Sequence, residues 1–158
     1  MDYSFQTMTQ QQAEEIAAHW RYNGEYAFYD MDADPEDLAE FLDPEARNNT
    51  YYSVIQNGGV VGFYSFIQTA QDTIDIGLGM KPDLTGSGKG NEFLKAGMEY
   101  AKSTYNPQKI TLSVAAFNKR AIRVYEKAGF KETERFQQAT NGSVFEFVKM
   151  SYDCTSKI

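Results

Sequence analysis

The sequence predicts a single α/β domain in which a mixed, mostly antiparallel sheet of about seven strands is flanked by about four helices. Short runs with alternating apolar residues, the pattern of strands, make up much of the chain. Asn-Gly dipeptides at 57–58 and 141–142 separate pairs of such runs, which indicates hairpins. A glycine-rich turn at 86–90 joins another run to a helical pattern. The length of 158 residues favours one domain, 1–158.

The chain is predicted to begin with a strand and two helices. Residues 3–8 form the strand, and Thr9 with Gln12 forms the capping-box pattern that opens the first helix. Asp34 is the predicted N-cap of a second, short helix that ends near Pro44.

Three strands follow, at 51–56, 60–68 and 73–80. In the third strand, the apolar side chains point to one face, and the side chains on the opposite face are mostly small and leave that face open. Gly77 and Gly79 lie on that open face, and glycine inside a strand suggests a bulge or the close approach of a ligand.

Helices and strands then alternate to the end of the chain. A helix at 92–105 leads to a strand at 110–115, and a second helix runs from Asn118 to Ala128. Strands at 130–139 and 143–152 form the last hairpin. The predicted order is therefore β-α-α-β-β-β-α-β-α-β-β.

The glycine-rich turn carries the clearest functional signal. Gly86, Gly88 and Gly90 alternate where a strand becomes a helix, so several backbone N–H groups can converge on one anion beside a helix N-terminus. Glycine allows a phosphate to approach the backbone closely. The spacing fits neither a P-loop nor the G-x-G-x-x-G dinucleotide fingerprint. Taken alone, the pattern also fits a flexible surface turn.

Two segments resemble the GNAT superfamily of N-acetyltransferases. The turn is similar to the acyl-CoA loop R/Q-x-x-G-x-G/A: Gly88 and Gly90 match, and Thr85 stands where Arg or Gln is usual. Residues 118–130 match the family pattern N-x-x-A-x-x-x-Y-x-x-x-G-F at every fixed position. Because both motifs occur in order and at the expected distance, the chain is identified as a member of this family, whose mixed sheet has the same order of elements.

The resemblance implies that an acetyl group moves from acetyl-CoA, as cosubstrate, to a primary amine. It implies that the pantetheine arm pairs with the backbone of one strand, whose N–H groups polarise the acetyl carbonyl, and that the turn holds the pyrophosphate. The cofactor-binding residues implied in this way are Leu78, Gly79, Met80, Gly86, Ser87, Gly88, Lys89, Gly90, Asn91 and Asn118.

The resemblance also assigns catalytic roles. Tyr125 matches the motif tyrosine, the usual general acid for the leaving thiolate, although a tyrosine on a buried helix face is also typical of a core. Members that acetylate protein N-termini often carry a glutamate base where this chain has Ser113, which cannot serve. Other members carry an acid where this chain has Asp75, the candidate base. A solvent-exposed carboxylate without a catalytic role, or a water chain as the base, remains the alternative.

Residues 21–34 are aromatic and acidic, with little periodicity. Aromatic faces and carboxylates attract ammonium groups, and in this family the corresponding segment often walls the acceptor site. The candidate acceptor-binding residues are Tyr22, Glu25, Tyr26, Tyr29 and Asp30. Packing of the aromatic residues at the edge of the core is the alternative.

Composition limits the partners and the compartment. The formal net charge of −7 disfavours binding to nucleic acid or to an anionic membrane. No apolar run is long enough to span a bilayer, and no signal peptide is expected. Cys154 is the only cysteine, which fits a reducing cytoplasm, and His19, the only histidine, gives no support for a metal site.

These observations predict a cytoplasmic N-acetyltransferase for a cationic small amine, such as a polyamine, an amino sugar or an aminoglycoside. Acetylation of a protein N-terminus or lysine is one alternative. A non-catalytic acyl-CoA-binding module is another. The aromatic content of 15% would permit a homodimer through the C-terminal strands, which is a hypothesis.

Overall fold

The computed structural model describes residues 3–85 and 88–155. The strands are β1 (Ser4–Thr7), β2 (Tyr51–Gln56), β3 (Gly59–Ala70), β4 (Thr73–Met80), β5 (Lys109–Ala115), β6 (Lys131–Thr140) and β7 (Ser143–Asp153). The helices are α1 (Gln10–His19), α2 (Pro35–Leu42), α3 (Pro44–Arg47), α4 (Gly90–Tyr105) and α5 (Lys119–Ala128). Within the described residues, no helix has the length and apolar character needed to cross a membrane.

In these two stretches of chain, seven strands form one sheet in the order β1-β2-β3-β4-β5-β7-β6. The β4–β5 pair is parallel and the other pairs are antiparallel, so the predicted mixed sheet is confirmed. The four predicted helices are present, and α3 adds a single turn that the sequence pattern did not indicate.

Local side-chain bonds set where the helices begin. The Thr9 hydroxyl accepts from the Gln12 N–H while the Gln12 side chain accepts from the Thr9 N–H, so the predicted capping box opens α1. The Asn118 side chain accepts from the backbone N–H of Ala121 and caps α5. Helix α5 ends at Ala128 and is capped by Gly129, whose φ of 110° suits glycine.

The segment between α1 and α2 is more ordered than its sequence suggested. It folds into two 3₁₀ turns, Gly24–Tyr29 and Met31–Ala33. The β6–β7 turn holds this segment, because the Asn141 side chain donates to the Phe28 carbonyl at 2.9 Å. The Phe28 ring packs 4.8 Å from the Phe145 ring, centroid to centroid. These contacts support a packing role for Phe28 at the edge of the sheet.

Helices cover both faces of the sheet. On one face, α4 packs so closely that a Cβ on Gly97 would lie 2.1 Å from the Tyr64 ring, and the buried Tyr64 hydroxyl donates to the Phe93 carbonyl. On the other face, α1 and α2 pack around Trp20 and Phe63.

Strands β4 and β5 separate after a short paired stretch, which runs from Thr73–Lys109 to Asp75–Thr111. The Lys81 N–H donates to Val61 of β3. Because the bonding direction alternates in an antiparallel ladder, the peptide groups of Leu78 and Met80 point away from β3 and into the resulting gap.

The bulge suggested at Gly77 and Gly79 is absent. Pairing between β3 and β4 runs without a shift from Gln68–Ile74 to Gly62–Met80. A Cβ on Gly77 would lie 2.6 Å from the Ser65 hydroxyl, and a Cβ on Gly79 would lie 2.5 Å from the Phe63 ring. The two glycines therefore make room for the side chains of β3.

Candidate active site

The gap between β4 and β5 opens into a cavity of about 490 Å³. The predicted site residues that line it are Tyr22, Tyr26, Tyr29, Leu78, Gly79, Met80, Gly88, Gly90, Asn91, Asn118 and Tyr125. The fold thus brings the glycine-rich turn, the two motif residues of α5 and the aromatic segment to one place.

The glycine-rich turn meets the start of α4, as predicted. Gly88 has a φ of +82°, and a Cβ placed there would find no heavy atom of the described chain within 4 Å. Helix α4 begins at Gly90, and its first N–H groups receive no side-chain cap from Lys89. Open space beside uncapped N–H groups suits a phosphate. Gly86 and Ser87, also predicted to bind the cofactor, lie outside the described residues.

Tyr125 lies on α5, half-buried, with its ring 6.1 Å from the ring of Phe130. Burial raises the pKa of the Tyr125 hydroxyl well above its usual value, and the nearby Tyr29 raises this pKa further. The hydroxyl is therefore protonated at neutral pH and is able to donate a proton or a hydrogen bond.

Asn118 joins the helix cap to the aromatic segment. Its side-chain oxygen caps α5, and its amide nitrogen donates to the Tyr29 hydroxyl oxygen at 3.1 Å. Burial raises the pKa of Tyr29, and the bond from Asn118 partly offsets that rise.

Three tyrosines attach the aromatic segment to both walls of the gap. The Tyr22 hydroxyl donates to the Met80 carbonyl on β4 at 2.7 Å. The Arg120 guanidinium lies 4.3 Å from the centre of the Tyr26 ring, and Tyr29 reaches Asn118. This segment therefore spans the gap from one strand to the neighbouring helix.

The predicted carboxylates are not part of the cavity lining. Asp75 accepts a hydrogen bond from the Thr111 hydroxyl at 2.7 Å at the paired end of the strands, and burial is the main reason that its pKa is raised. Asp30 accepts from the Tyr22 N–H and lies 3.8 Å from Arg21. Glu25 is exposed on the same segment. Their roles stay predictions.

Trp20 and Arg120 are among the cavity-lining residues that sequence reasoning did not assign to the site. Trp20 follows Ala13, Ile16 and Ala17 at helical spacing, which predicts a packing role on the apolar face of α1. Val124 lies beside the glycine-rich turn, because a Cβ on Gly90 would be 3.7 Å from its side chain. Arg120 precedes Val124 by four residues, so the two side chains share one face of α5. This spacing is the sequence signal that could have placed Arg120 at the cavity.

The chain matches a family model described as "Acetyltransferase (GNAT) domain" over residues 4–131. No curated protein sequence matches it.

Among solved structures, a chimera of the spermidine N-acetyltransferase SpeG from Vibrio cholerae and hSSAT is 18% identical and has a TM-score of 0.73, with 97% of this chain and 96% of that chain covered. The Vibrio cholerae spermidine N-acetyltransferase in complex with CoA and spermine is 15% identical, with a TM-score of 0.72 and coverage of 96% and 95%. AAC(6')-Ib in complex with paromomycin and acetyl-CoA is 20% identical, with a TM-score of 0.73 and coverage of 98% and 94%. At these identities the likeness concerns the fold.

Proposed function

The chain belongs to the GNAT family of acetyl-CoA-dependent N-acetyltransferases, and we propose that its acceptor is the primary amine of a small cationic molecule. One observation carries the proposal for the site. The end of β4 that has separated from β5, the glycine-rich turn and Tyr125 all border the same cavity.

The residues of the gap fit acetyl-CoA. The turn leaves open space at Gly88 beside the uncapped start of α4, where a pyrophosphate would receive backbone N–H donors. The N–H groups of Leu78 and Met80 and the Leu78 carbonyl would pair with the pantetheine arm as an added strand does, while the Met80 carbonyl accepts from the Tyr22 hydroxyl. Lys89 adds a positive charge beside the turn, and Asn118 lines the cavity. When bound, acetyl-CoA supplies the activated acetyl thioester.

Tyr125 is proposed as the general acid. Its raised pKa keeps the phenol protonated, so that the proton is available to the sulfur when the C–S bond breaks. The amine must be neutral when it attacks, and Asp75 is proposed to remove its proton. Since the Asp75 carboxylate is bound to Thr111, it would act through water; bulk water without a dedicated base is the alternative.

The acceptor is proposed to approach along the aromatic segment. Tyr22, Tyr26 and Tyr29 line the cavity, and aromatic rings attract ammonium groups. The Tyr26 ring already contacts the Arg120 guanidinium, so Tyr22 and Tyr29 are the rings proposed for the acceptor. Arg21 pairs with Asp32 at 2.6 Å and also lies near Asp30, which weakens the pull of both carboxylates on an outside cation.

Glu25 has no ion-pair partner among residues 3–85 and 88–155, so it is the carboxylate most available to a second charge on the acceptor. Asp30 would then act mainly by holding the Tyr22 backbone. Two neighbours in fold, the spermidine N-acetyltransferase bound to spermine and AAC(6')-Ib bound to paromomycin, support a cationic acceptor.

A coupled assay of CoA thiol release tests the proposal. The panel contains spermidine, an amino sugar, an aminoglycoside, a neutral primary amine and a peptide with a free N-terminus. We expect the highest kcat/KM for acceptors with two or more positive charges. Preference for the peptide would instead support protein acetylation, and no release with any acceptor would support a non-catalytic acyl-CoA-binding module.

Two further assignments accompany this proposal. A homodimer through the C-terminal hairpin is supported by the position of β6 at the sheet edge and by Val144, which is 60% exposed. Light scattering would measure the mass in solution. A cytoplasmic location is proposed because Cys154 is the only cysteine.

A further inference from the structure

The Tyr29 hydroxyl is held in a defined hydrogen-bonding state. The Asn118 side-chain oxygen accepts from the Ala121 N–H at 3.2 Å, which fixes the orientation of the amide. The amide nitrogen is therefore the atom that faces Tyr29, 3.1 Å from the phenol oxygen. Since an amide nitrogen only donates, the Tyr29 oxygen is the acceptor in this bond.

A backbone group faces the same oxygen. Ala116 donates to Glu146 of β7, and alternation along β5 turns the peptide N–H of Ala115 toward the gap. That N–H interacts with the Tyr29 oxygen and favours its ionised form, although burial is the larger effect on the pKa. The Asn118 amide thus donates to the phenol oxygen, and the Ala115 N–H is directed toward the same gap.

The hydroxyl hydrogen of Tyr29 is therefore available to donate to a ligand bound in the cavity. Within residues 3–85 and 88–155, the Tyr29 hydroxyl donates to no protein group. Its ring is held by Phe28, with centroids 5.2 Å apart, and by Phe117, with centroids 6.1 Å apart. Tyr29 lines the same cavity as Tyr125 and is near enough to raise the pKa of the Tyr125 hydroxyl.

We propose that Tyr29 is a catalytic hydrogen-bond donor to the acetyl carbonyl oxygen. This inference rests on the proposed function. The amine nitrogen forms the C–N bond with its lone pair, and the carbonyl π pair moves onto oxygen, where the Tyr29 O–H stabilises the charge. When that pair returns, the C–S bond breaks and Tyr125 supplies a proton to sulfur. The nitrogen loses one proton as it becomes an amide, and water carries a proton back to the Tyr125 phenolate, so the products are a neutral amide and the CoA thiol. Tyr29 keeps its proton throughout, so it acts by hydrogen bonding alone.

Tyr29→Phe keeps the packed ring and removes the donor. We expect kcat to fall roughly a hundred- to a thousandfold, as when one oxyanion donor is removed elsewhere, while the Kd of acetyl-CoA changes less than about twofold. Tyr100→Phe, which removes a phenol hydroxyl outside the cavity lining, is the matched control and should leave kcat unchanged. A kcat for Tyr29→Phe within about twofold of the parent overturns the inference.

A spectroscopic measurement separates catalysis from a structural role. A hydrogen bond lowers the stretching frequency of a carbonyl, so infrared spectra of acetyl-CoA labelled with ¹³C at the carbonyl are recorded on the protein without an acceptor. Tyr29→Phe should raise this frequency toward that of free acetyl-CoA, whereas Tyr125→Phe should not. The same frequency in parent and Tyr29→Phe contradicts the assignment.

Asn118→Asp provides a second variant. A carboxylate still caps α5, but its other oxygen would accept the Tyr29 O–H and turn it away from the cavity. The carbonyl frequency should rise here too, and an unchanged frequency counts against the inference. Failure of this inference and failure of the proposed function give different results. The proposed function fails if the parent protein releases no thiol with any amine. The infrared measurement requires no turnover, so it tests the role of Tyr29 independently of that result.

Discussion

Gly88→Ala is the substitution for which the structure allows the effects on folding and on binding to be separated. Gly88 has a φ of +82°, a conformation that costs a residue with a side chain roughly 1–2 kcal/mol. A Cβ there meets no described atom within 4 Å, so no steric clash adds to that cost. For a domain of this size, the melting temperature should fall by roughly 2–8 °C.

Gly58 offers a matched control. It has a φ of +80° in the turn between β2 and β3, and a Cβ there also meets nothing within 4 Å. Gly58→Ala should therefore lose a similar amount of stability. It should leave CoA binding intact, because Gly58 does not line the cavity.

The binding effect is expected in Gly88→Ala alone. The added methyl group occupies the space next to the uncapped N–H groups of α4, where we propose that the pyrophosphate lies. Losing one hydrogen bond from N–H to a charged oxygen costs about 1.5–3 kcal/mol, or roughly a ten- to hundredfold rise in the Kd of CoA. Thermal unfolding and titration calorimetry measure the two effects. Equal CoA affinity in Gly88→Ala and Gly58→Ala would refute the phosphate assignment.

Three further predictions concern the chemistry. Tyr125→Phe should lower kcat by about ten- to a thousandfold and leave the KM of acetyl-CoA nearly unchanged; steady-state rates equal to the parent's across the pH range would exclude the acid role. Glu25→Gln should raise the KM of a polyamine but not of acetyl-CoA, and added salt should reduce the parent's kcat/KM more than the variant's, since salt screens exposed charges. Burial raises the folded-state pKa of Asp75 above 3.8, so its ionisation destabilises the fold as pH rises. Asp75→Asn should then unfold at a higher temperature than the parent at pH 7, with the gain vanishing below about pH 4, and should lose kcat most at low pH, where the amine is protonated. If Asp75→Asn shows no gain in melting temperature at pH 7, the expected effect on stability is wrong. If its kcat at low pH equals that of the parent, the proposed role as a base is wrong.

Elements with local signals were predictable from the sequence. Asn57 and Gly58 both have positive φ, as do Asn141 and Gly142, and this is the conformation that an Asn-Gly hairpin turn requires. The bounds of β4 agree with the alternation of residues 73–80, because one face of that strand is buried.

The 3₁₀ turns between α1 and α2 were not predictable, because tertiary bonds stabilise them. Asp30 accepts from the Tyr22 N–H, and Asn141 reaches Phe28 from more than a hundred positions away in the sequence. Intrinsic propensity carries no information about such distant partners.

The motif residues Asn118 and Tyr125 both line the cavity, because they lie on one face of the helix.

The position of Asp75 depended on where β4 and β5 separate. Its place on the open strand face followed from alternation, but its distance from the cavity depends on the register with Thr111. The contact of Arg21 with Asp30 and Asp32 also depends on the path of the folded segment. Charge patterns in the sequence therefore indicated the acidic segment without indicating which carboxylates remain unpaired.

A crystal structure with CoA and a polyamine bound together tests the central claim most directly. We expect the CoA sulfur to lie within hydrogen-bonding distance of the Tyr125 hydroxyl, with the pyrophosphate on the turn at Gly88 and Gly90. The nearest amine nitrogen should lie on the side of the sulfur that faces Tyr22 and Tyr29. CoA bound away from the gap between β4 and β5, or an amine bound remote from the sulfur, would contradict the account.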